Sequence, residues 1–171
     1  MRSAPLPACA FLLWTLQASA GDMLASRIEV ERLQRALSQP GQVELLSLDP
    51  NTDCLSDCWH GWQVLGQTTL TDAGFQHALA GELSQWVAAP EPEYIALCFN
   101  PRHGVRWTTE GTIWSFVVCF ECGETRVYAN EQAVGSLHLF DRASGPWDAI
   151  LRASGLPLAP TESGEDDFND D

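Results

Sequence analysis

Residues 105–120 read VRWTTEGTIWSFVVCF, and this stretch decides the fold. β-Branched and aromatic residues dominate both of its halves, which is typical of strands. Glu110-Gly111 stands between the halves and is typical of a two-residue hairpin turn. With that turn, Trp107 lies opposite Trp114, and two aromatic rings facing each other across strands stabilise a pair. The stretch therefore predicts an antiparallel hairpin.

The register of this hairpin extends toward several cysteines. Continued outward, it places Arg102 opposite Cys119 and Phe99 opposite Cys122. The kink at Pro101 is expected to shift the register by a residue or more. We therefore predict that these two segments lie close together, without assigning a bond between any two sulfurs.

Apolar spacing outside the hairpin predicts further helices and strands. The strands come mostly late in the chain and short turns join them, which predicts a mostly antiparallel sheet with helices packed on one face. The fold class is α+β with a single domain. The predicted helices are Asp22–Ser38, Asp72–Val87 and Asp141–Ser154. The predicted strands are Val43–Leu48, Trp62–Leu70, Tyr94–Phe99, Val105–Thr109, Thr112–Phe120, Thr125–Ala129 and Ser136–Phe140.

The first twenty residues have the order of a secretory signal peptide. Arg2 supplies a positive start, residues 8–16 (ACAFLLWTL) form a short apolar run, and residues 18–20 (ASA) match a cleavage motif. The apolar run is too short to span a bilayer. We expect a periplasmic or secreted protein with no membrane association after cleavage. Its parts would be a signal peptide at 1–20, an α+β domain at 21–160 and an acidic, disordered tail at 161–171.

The charge balance excludes some partners and favours others. The 171 residues include 9 Lys+Arg, all of them Arg, against 23 Asp+Glu, for a net charge of -14. Such a chain lacks the basic patch that nucleic acid requires. The absence of lysine excludes Schiff-base chemistry. The expected partner is a protein or small ligand, with basic partners favoured by the acidic surface.

Removal of the signal peptide would leave five cysteines in a compartment that favours disulfides. An odd number leaves at least one of them free, buried, metal-bound or paired between chains. Cys54 and Cys58 are spaced for a small disulfide loop. The disulfide candidates are Cys54, Cys58, Cys98, Cys119 and Cys122.

Three interpretations of the later cysteines stay open. The first is a structural disulfide from Cys98 to Cys119 or Cys122. The second is a zinc site formed by these three cysteines with His103. Residues three apart on a regular strand point to opposite faces, so Cys119 and Cys122 converge only if Gly123 allows a bulge. The third is buried thiols, with a catalytic thiol assisted by Arg102 and His103 as a minor variant.

The pair CFNPRHGVR (98–106) and VVCFEC (117–122) resembles a pattern of uncharacterised small bacterial exported proteins. In that pattern an apolar strand ends in Cys-aromatic-x-Pro-Arg-His, and a later strand carries Cys-aromatic-x-Cys. The likeness covers residues 94–128 and implies no activity or substrate. It implies one local unit made of Cys98, Pro101, Arg102, His103, Cys119 and Cys122.

No recognisable catalytic signature occurs in the sequence. The favoured hypothesis is an exported, non-enzymatic binding or accessory module without a cofactor. Its site would be the Cys/Pro-Arg-His unit, and its candidate binding residues are Arg102, His103, Trp59 and Trp62. The alternative is a zinc-binding protein or thiol-dependent enzyme that uses Cys98, His103, Cys119 and Cys122.

Overall fold

The computed structural model describes residues 29–51, 54, 56, 58–89, 98–139 and 143–159. These residues form three helices and seven strands. The helices are α1 (residues 29–37), α2 (Ala73–Val87) and α3 (Gly145–Ala153). The strands are β1 (Gln42–Asp49), β2 (Cys58–Trp59), β3 (Trp62–Thr69), β4 (His103–Thr109), β5 (Thr112–Cys119), β6 (Glu124–Ala129) and β7 (Gln132–His138).

All seven strands belong to one sheet in the order β2-β3-β1-β4-β5-β6-β7, and every neighbouring pair is antiparallel. The prediction of an α+β single domain with a mostly antiparallel sheet is confirmed. The β4–β5 hairpin has the predicted register, with Trp107 opposite Trp114.

The helices pack on one face of the sheet, as predicted. Alternate residues of the central strands point toward them because side chains of a strand alternate between its two faces. Leu83 and Trp86 of α2 and Leu151 of α3 are buried there with the sheet residues Phe116 and Val118. Burial of this apolar surface is the main stabilising contribution.

The opposite face of the sheet has a smaller apolar cluster. Leu46, Leu48 and Val117 are fully buried on it, and Trp59 of β2 joins them. Gly104 makes this contact possible, since an added Cβ would overlap the Trp59 ring. The β2–β3 hairpin therefore covers part of the face that the helices leave open.

Several predicted boundaries agree with the structure, and others differ. Strand β3 and helix α2 lie where the sequence predicts them, and Asp72 caps α2 by accepting the Phe75 N–H at 2.9 Å. Strand β7 begins at Gln132 rather than Ser136. Residues 98–100 of the predicted strand Tyr94–Phe99 and its loop are not in a strand. Residues 94–97, the signal peptide at 1–20 and the tail at 161–171 lie outside the described residues.

Across the described ranges, no helix combines the length and the apolar character that crossing a membrane requires.

Candidate functional site

The turn between β5 and β6 brings two sulfurs together. Cys119 is the last residue of β5, and residues 120–123 form a turn in which Gly123 has a φ of 68°, a value that glycine adopts readily. The chain leaves the strand at this point, so Cys119 and Cys122 do not point to opposite faces. Their sulfurs form a disulfide across Cα atoms 5.2 Å apart.

Cys98 is a free and exposed thiol beside this disulfide. Its Sγ lies 3.6 Å from Sγ of Cys122 and donates a hydrogen bond to it. The expected disulfide from Cys98 to Cys119 or Cys122 is therefore replaced by one between Cys119 and Cys122. The reason is local, because the turn places those two sulfurs within bonding distance.

Backbone amides contact both sulfurs of the disulfide. The Cys122 N–H donates to Sγ of Cys119 over 3.1 Å, and the Asn100 N–H donates to Sγ of Cys122 over 3.4 Å. The disulfide itself is shielded, since Cys119 is 1% and Cys122 4% exposed. Two hydrogen-bond donors are thus already aimed at atoms that become thiolates when the bond opens.

Arg102 lies at the same end of the sheet. In the β4–β5 register His103 pairs with Val118, so Arg102 and Cys119 are the next residues outward. Its Nη1 donates to Oε1 of Glu121, within the turn, over 2.8 Å. The Arg102 side chain is 11% exposed, and its buried Nε and Nη2 have no hydrogen-bond partner among the described residues.

Cys98, Cys119 and Cys122 form a group that we call the sulfur cluster. His103 is not part of it. Its side chain points to the helix face, where Nε2 lies 2.7 Å from Oδ1 of Asp148 in α3 and the ring packs against Phe120 and Trp147. Ser144 donates to the other carboxylate oxygen over 2.8 Å. Burial raises the pKa of Asp148, but the hydrogen bonds from His103 and Ser144 outweigh it and hold that pKa below the ordinary value.

The four predicted zinc ligands therefore divide between two faces of the sheet. Cys98, Cys119 and Cys122 lie together, whereas His103 faces α3. Among the residues described, no three or more His, Cys, Asp or Glu side chains are grouped so that they could hold a metal ion.

The two candidate tryptophans have different surroundings. Trp59 is buried over the open face of the sheet, and Trp62 is half-buried. The Trp62 ring lies 6.0 Å from that of Phe99, next in sequence to Cys98. The guanidinium of Arg126 stacks over Phe99 at 3.7 Å. Trp62, Phe99 and Arg126 thus form an aromatic and cationic surface beside the exposed thiol, which we call the Phe99 surface.

His60 was not among the candidate site residues predicted from the sequence. Its ring stacks on Tyr128 at 3.8 Å and its side chain is only 3% exposed. Burial lowers the pKa of His60, nearby Glu131 raises it, and Arg106 lowers it further, with a net decrease. The positive φ of 50° at His60, next to Gly61, marks the tight turn of the β2–β3 hairpin, a signal that the pair His-Gly carries only weakly.

The predicted disulfide between Cys54 and Cys58 is present, with Cα atoms 5.7 Å apart. It precedes β3 and is separate in sequence from the three later cysteines. The protein therefore carries two disulfides and one free thiol within its described residues.

Comparisons of the chain with protein-family models, with curated proteins and with solved structures found no match. The chemistry of the site is therefore inferred from its own geometry.

Proposed function

We propose that the protein carries out thiol–disulfide exchange, with Cys98, Cys119 and Cys122 as its reactive centre. One observation carries the proposal, namely the distance of 3.6 Å between the exposed Cys98 thiol and Sγ of a shielded disulfide. Exchange proceeds by attack of a thiolate on a disulfide sulfur, and it requires the two to meet. Cys98 is held beside the atom that it would attack.

The first step is an internal rearrangement that needs no other reactant. Cys98 loses its proton, and its thiolate attacks Sγ of Cys122. The Cys98–Cys122 bond forms as the Cys119–Cys122 bond breaks. Cys119 leaves with the electron pair as a thiolate, which the Cys122 N–H already contacts at 3.1 Å and which can take up a proton. The number of disulfides is unchanged.

The second step involves an external thiol. Its thiolate attacks the exposed sulfur of Cys98, a mixed disulfide forms, and Cys122 leaves as a thiolate toward the Asn100 N–H. A second external thiol then displaces Cys98. In sum, two external thiols become one disulfide, and Cys119 and Cys122 become thiols. Cys98 acts as the carrier between a shielded disulfide and the solvent.

We propose further that this exchange takes place in the periplasm or outside the cell. Two disulfides support this location, because disulfides persist mainly in oxidising compartments. The predicted signal peptide supports it as well. The net charge of -14 favours a protein partner that is basic.

A binding or accessory role, favoured by the sequence, is the second candidate. Stacking of Arg126 over Phe99 beside Trp62 favours it, because aromatic and arginine side chains are frequent anchors at interfaces. The test is whether a partner cross-linked through Cys98 still binds when Cys98 is Ser. Binding that persists in Cys98→Ser and is lost in Phe99→Ala would favour the accessory role.

The exchange proposal is tested by the rate at which dithiothreitol opens the Cys119–Cys122 bond. Alkylation of the released thiols followed by peptide mass analysis measures that rate. We expect Cys98→Ser to slow the opening at least tenfold, because the external thiol loses its exposed carrier. The Cys54–Cys58 bond is the internal control, and its rate should be the same in both proteins.

Equal rates of Cys119–Cys122 opening in the wild type and in Cys98→Ser would overturn the proposal. The zinc alternative gives a different outcome in the same samples. Stoichiometric zinc retained by the reduced protein, and lost in Cys119→Ser, would favour a metal site over exchange.

A further inference from the structure

We propose that Arg102 stabilises the thiolate of Cys119 when the disulfide opens, and that the centre consequently donates its disulfide to dithiols. This inference rests on the exchange function proposed above. It adds the direction of the reaction and the class of substrate, cysteine pairs in their reduced form.

The unpartnered nitrogens of Arg102 are the first argument. Nε and Nη2 lie along one edge of the guanidinium and form a fork that suits an anionic acceptor. Both atoms are buried without a hydrogen-bond partner among the described residues, while Nη1 is occupied by Glu121. A buried donor without an acceptor is costly, and a charged donor more so.

The position of Arg102 is the second argument. His103 and Val118 form the last β4–β5 pair; Arg102 directly precedes His103, and Cys119 directly follows Val118. The ion pair of Arg102 with Glu121 fastens the side chain to the turn that links Cys119 to Cys122. The guanidinium is thus held beside the turn that starts at the end of β5, within which the disulfide would open.

The charges near Cys119 are the third argument. Glu124 pairs directly with Cys119 across β5 and β6, and Glu121 lies in the turn itself. Two carboxylates disfavour a thiolate between them. Arg126 contacts the Glu124 carboxylate at 3.6 Å and offsets part of that charge. Arg102 supplies the second positive charge, and its Nε and Nη2 have no hydrogen-bond partner among the described residues.

The direction of the reaction follows from the two redox states. A disulfide sulfur is a weak acceptor, whereas a thiolate is a strong, charge-assisted acceptor. The fork of Arg102 is therefore left without an acceptor in the oxidised protein and gains one in the reduced protein. Stabilisation of the reduced form raises the reduction potential, and such centres oxidise dithiols.

The exchange remains balanced in this direction. Each reduced cysteine pair gives up two protons and two electrons and becomes a disulfide. The protein disulfide accepts the two electrons, and Cys119 and Cys122 end as thiolate or thiol. Cys98 carries the substrate in the mixed disulfide and is a thiol again at the end.

The experiment compares Arg102→Gln and Arg102→Lys with the wild type in glutathione redox buffers. Its readout is the equilibrium constant for reduction of the Cys119–Cys122 bond, together with the pKa of the Cys119 thiol in the reduced protein. Arg102→Gln should make the disulfide at least tenfold harder to reduce, which is about 30 mV for this two-electron couple. It should also raise the thiol pKa, and Arg102→Lys should restore part of both effects.

Arg106→Gln is the matched control. Arg106 lies in β4, four residues after Arg102, and pairs with Glu44 at 2.8 Å, so its loss removes an equal charge from another place. The equilibrium constant of this variant should stay within twofold of the wild type. Circular dichroism and urea unfolding of each variant check that the fold is retained.

The outcomes separate this inference from the exchange function. If the wild type equilibrates with dithiothreitol through Cys98 but folded Arg102→Gln keeps the wild-type equilibrium constant, the role of Arg102 is wrong and exchange stands. If the wild type does not exchange through Cys98, the proposed function fails. Oxidation of dithiothreitol without oxidation of a reduced two-cysteine peptide would restrict the substrate to small dithiols and overturn the assignment to cysteine pairs of peptides and proteins.

Discussion

Cys122 is the sulfur that both other cysteines of the centre contact. It is bonded to Cys119 and accepts from Cys98 over 3.6 Å and from the Asn100 N–H over 3.4 Å. Because both neighbouring sulfurs are already close, Cys122 can exchange its bond to Cys119 for a bond to Cys98 with little movement. The identity of the attacked atom in the proposed exchange follows from this arrangement.

His60 should make the stability of the protein depend on pH. Burial lowers its pKa, so the folded state favours the neutral imidazole. In the unfolded chain the imidazole titrates at about pH 6.5. The stabilisation is therefore fully present above that pH and is lost as the pH falls toward the lower pKa of the folded state.

Melting temperatures between pH 5 and pH 7.5 test this expectation. We expect the wild type to lose stability below about pH 6.5. In His60→Asn the slope over this range should be reduced, whatever the change in absolute stability, because asparagine tolerates positive φ and does not titrate. His77→Asn, at an exposed position of α2, is the control and should keep the wild-type slope. An unchanged slope in His60→Asn would show that another group is responsible.

The β2–β3 hairpin and the β5–β6 turn are the two elements that shape the open face of the sheet. The first places Trp59 over Gly104, and the second places Cys119 next to Cys122. Neither was fully predictable. A strand of two residues such as β2 has too short a pattern to be recognised, and the strand pattern alone kept Cys119 and Cys122 on opposite faces. The position of Trp59 and the closeness of Cys119 to Cys122 both depend on turns that contain a glycine with positive φ, Gly61 and Gly123.

Two glycine substitutions of the same size test the account of these elements. Gly104→Ala adds a Cβ that overlaps the Trp59 ring, and we expect it to lower the free energy of unfolding by about 1–3 kcal/mol. Gly81→Ala adds the same methyl group to α2 where no atom lies within 4 Å. It should raise that free energy by about 1 kcal/mol, because alanine favours helices.

Urea unfolding followed by circular dichroism measures both changes. A destabilised Gly81→Ala protein would show that α2 is not the regular helix described. A Gly104→Ala protein as stable as the wild type would mean that Trp59 does not rest on β4.

At the scale of the whole molecule, the helices cover one face of the sheet, and the cysteines of the proposed centre lie away from that face. Three helices cover the first face with a large apolar core, in which His103 and Asp148 form a buried polar contact. The sulfur cluster and the Phe99 surface lie at the other side and at one sheet end. The chain carries a net charge of -14, and Arg102 and Arg126 are cations at the site.

The sequence was informative about this architecture and less so about the site. Hydrophobic periodicity and the Glu110-Gly111 turn predicted the class, the helix-covered face and the β4–β5 register, because these depend on local spacing. Even in α2, Phe75 is 54% exposed, although its spacing from the buried Leu79 and Leu83 is that of one helix face. Cys122, in contrast, lies beyond the end of β5 in a turn, where the spacing rules of a strand stop applying.

The most direct test of the proposed exchange centre is disulfide mapping of the Cys119→Ser variant. Removal of Cys119 leaves Cys98 and Cys122 with sulfurs 3.6 Å apart in the parent structure. After mild oxidation and proteolysis, mass analysis should find a Cys98–Cys122 disulfide in nearly every molecule, with the Cys54–Cys58 bond intact. Free thiols at both Cys98 and Cys122, or linkage of Cys98 only between two chains, would contradict the proposed exchange centre.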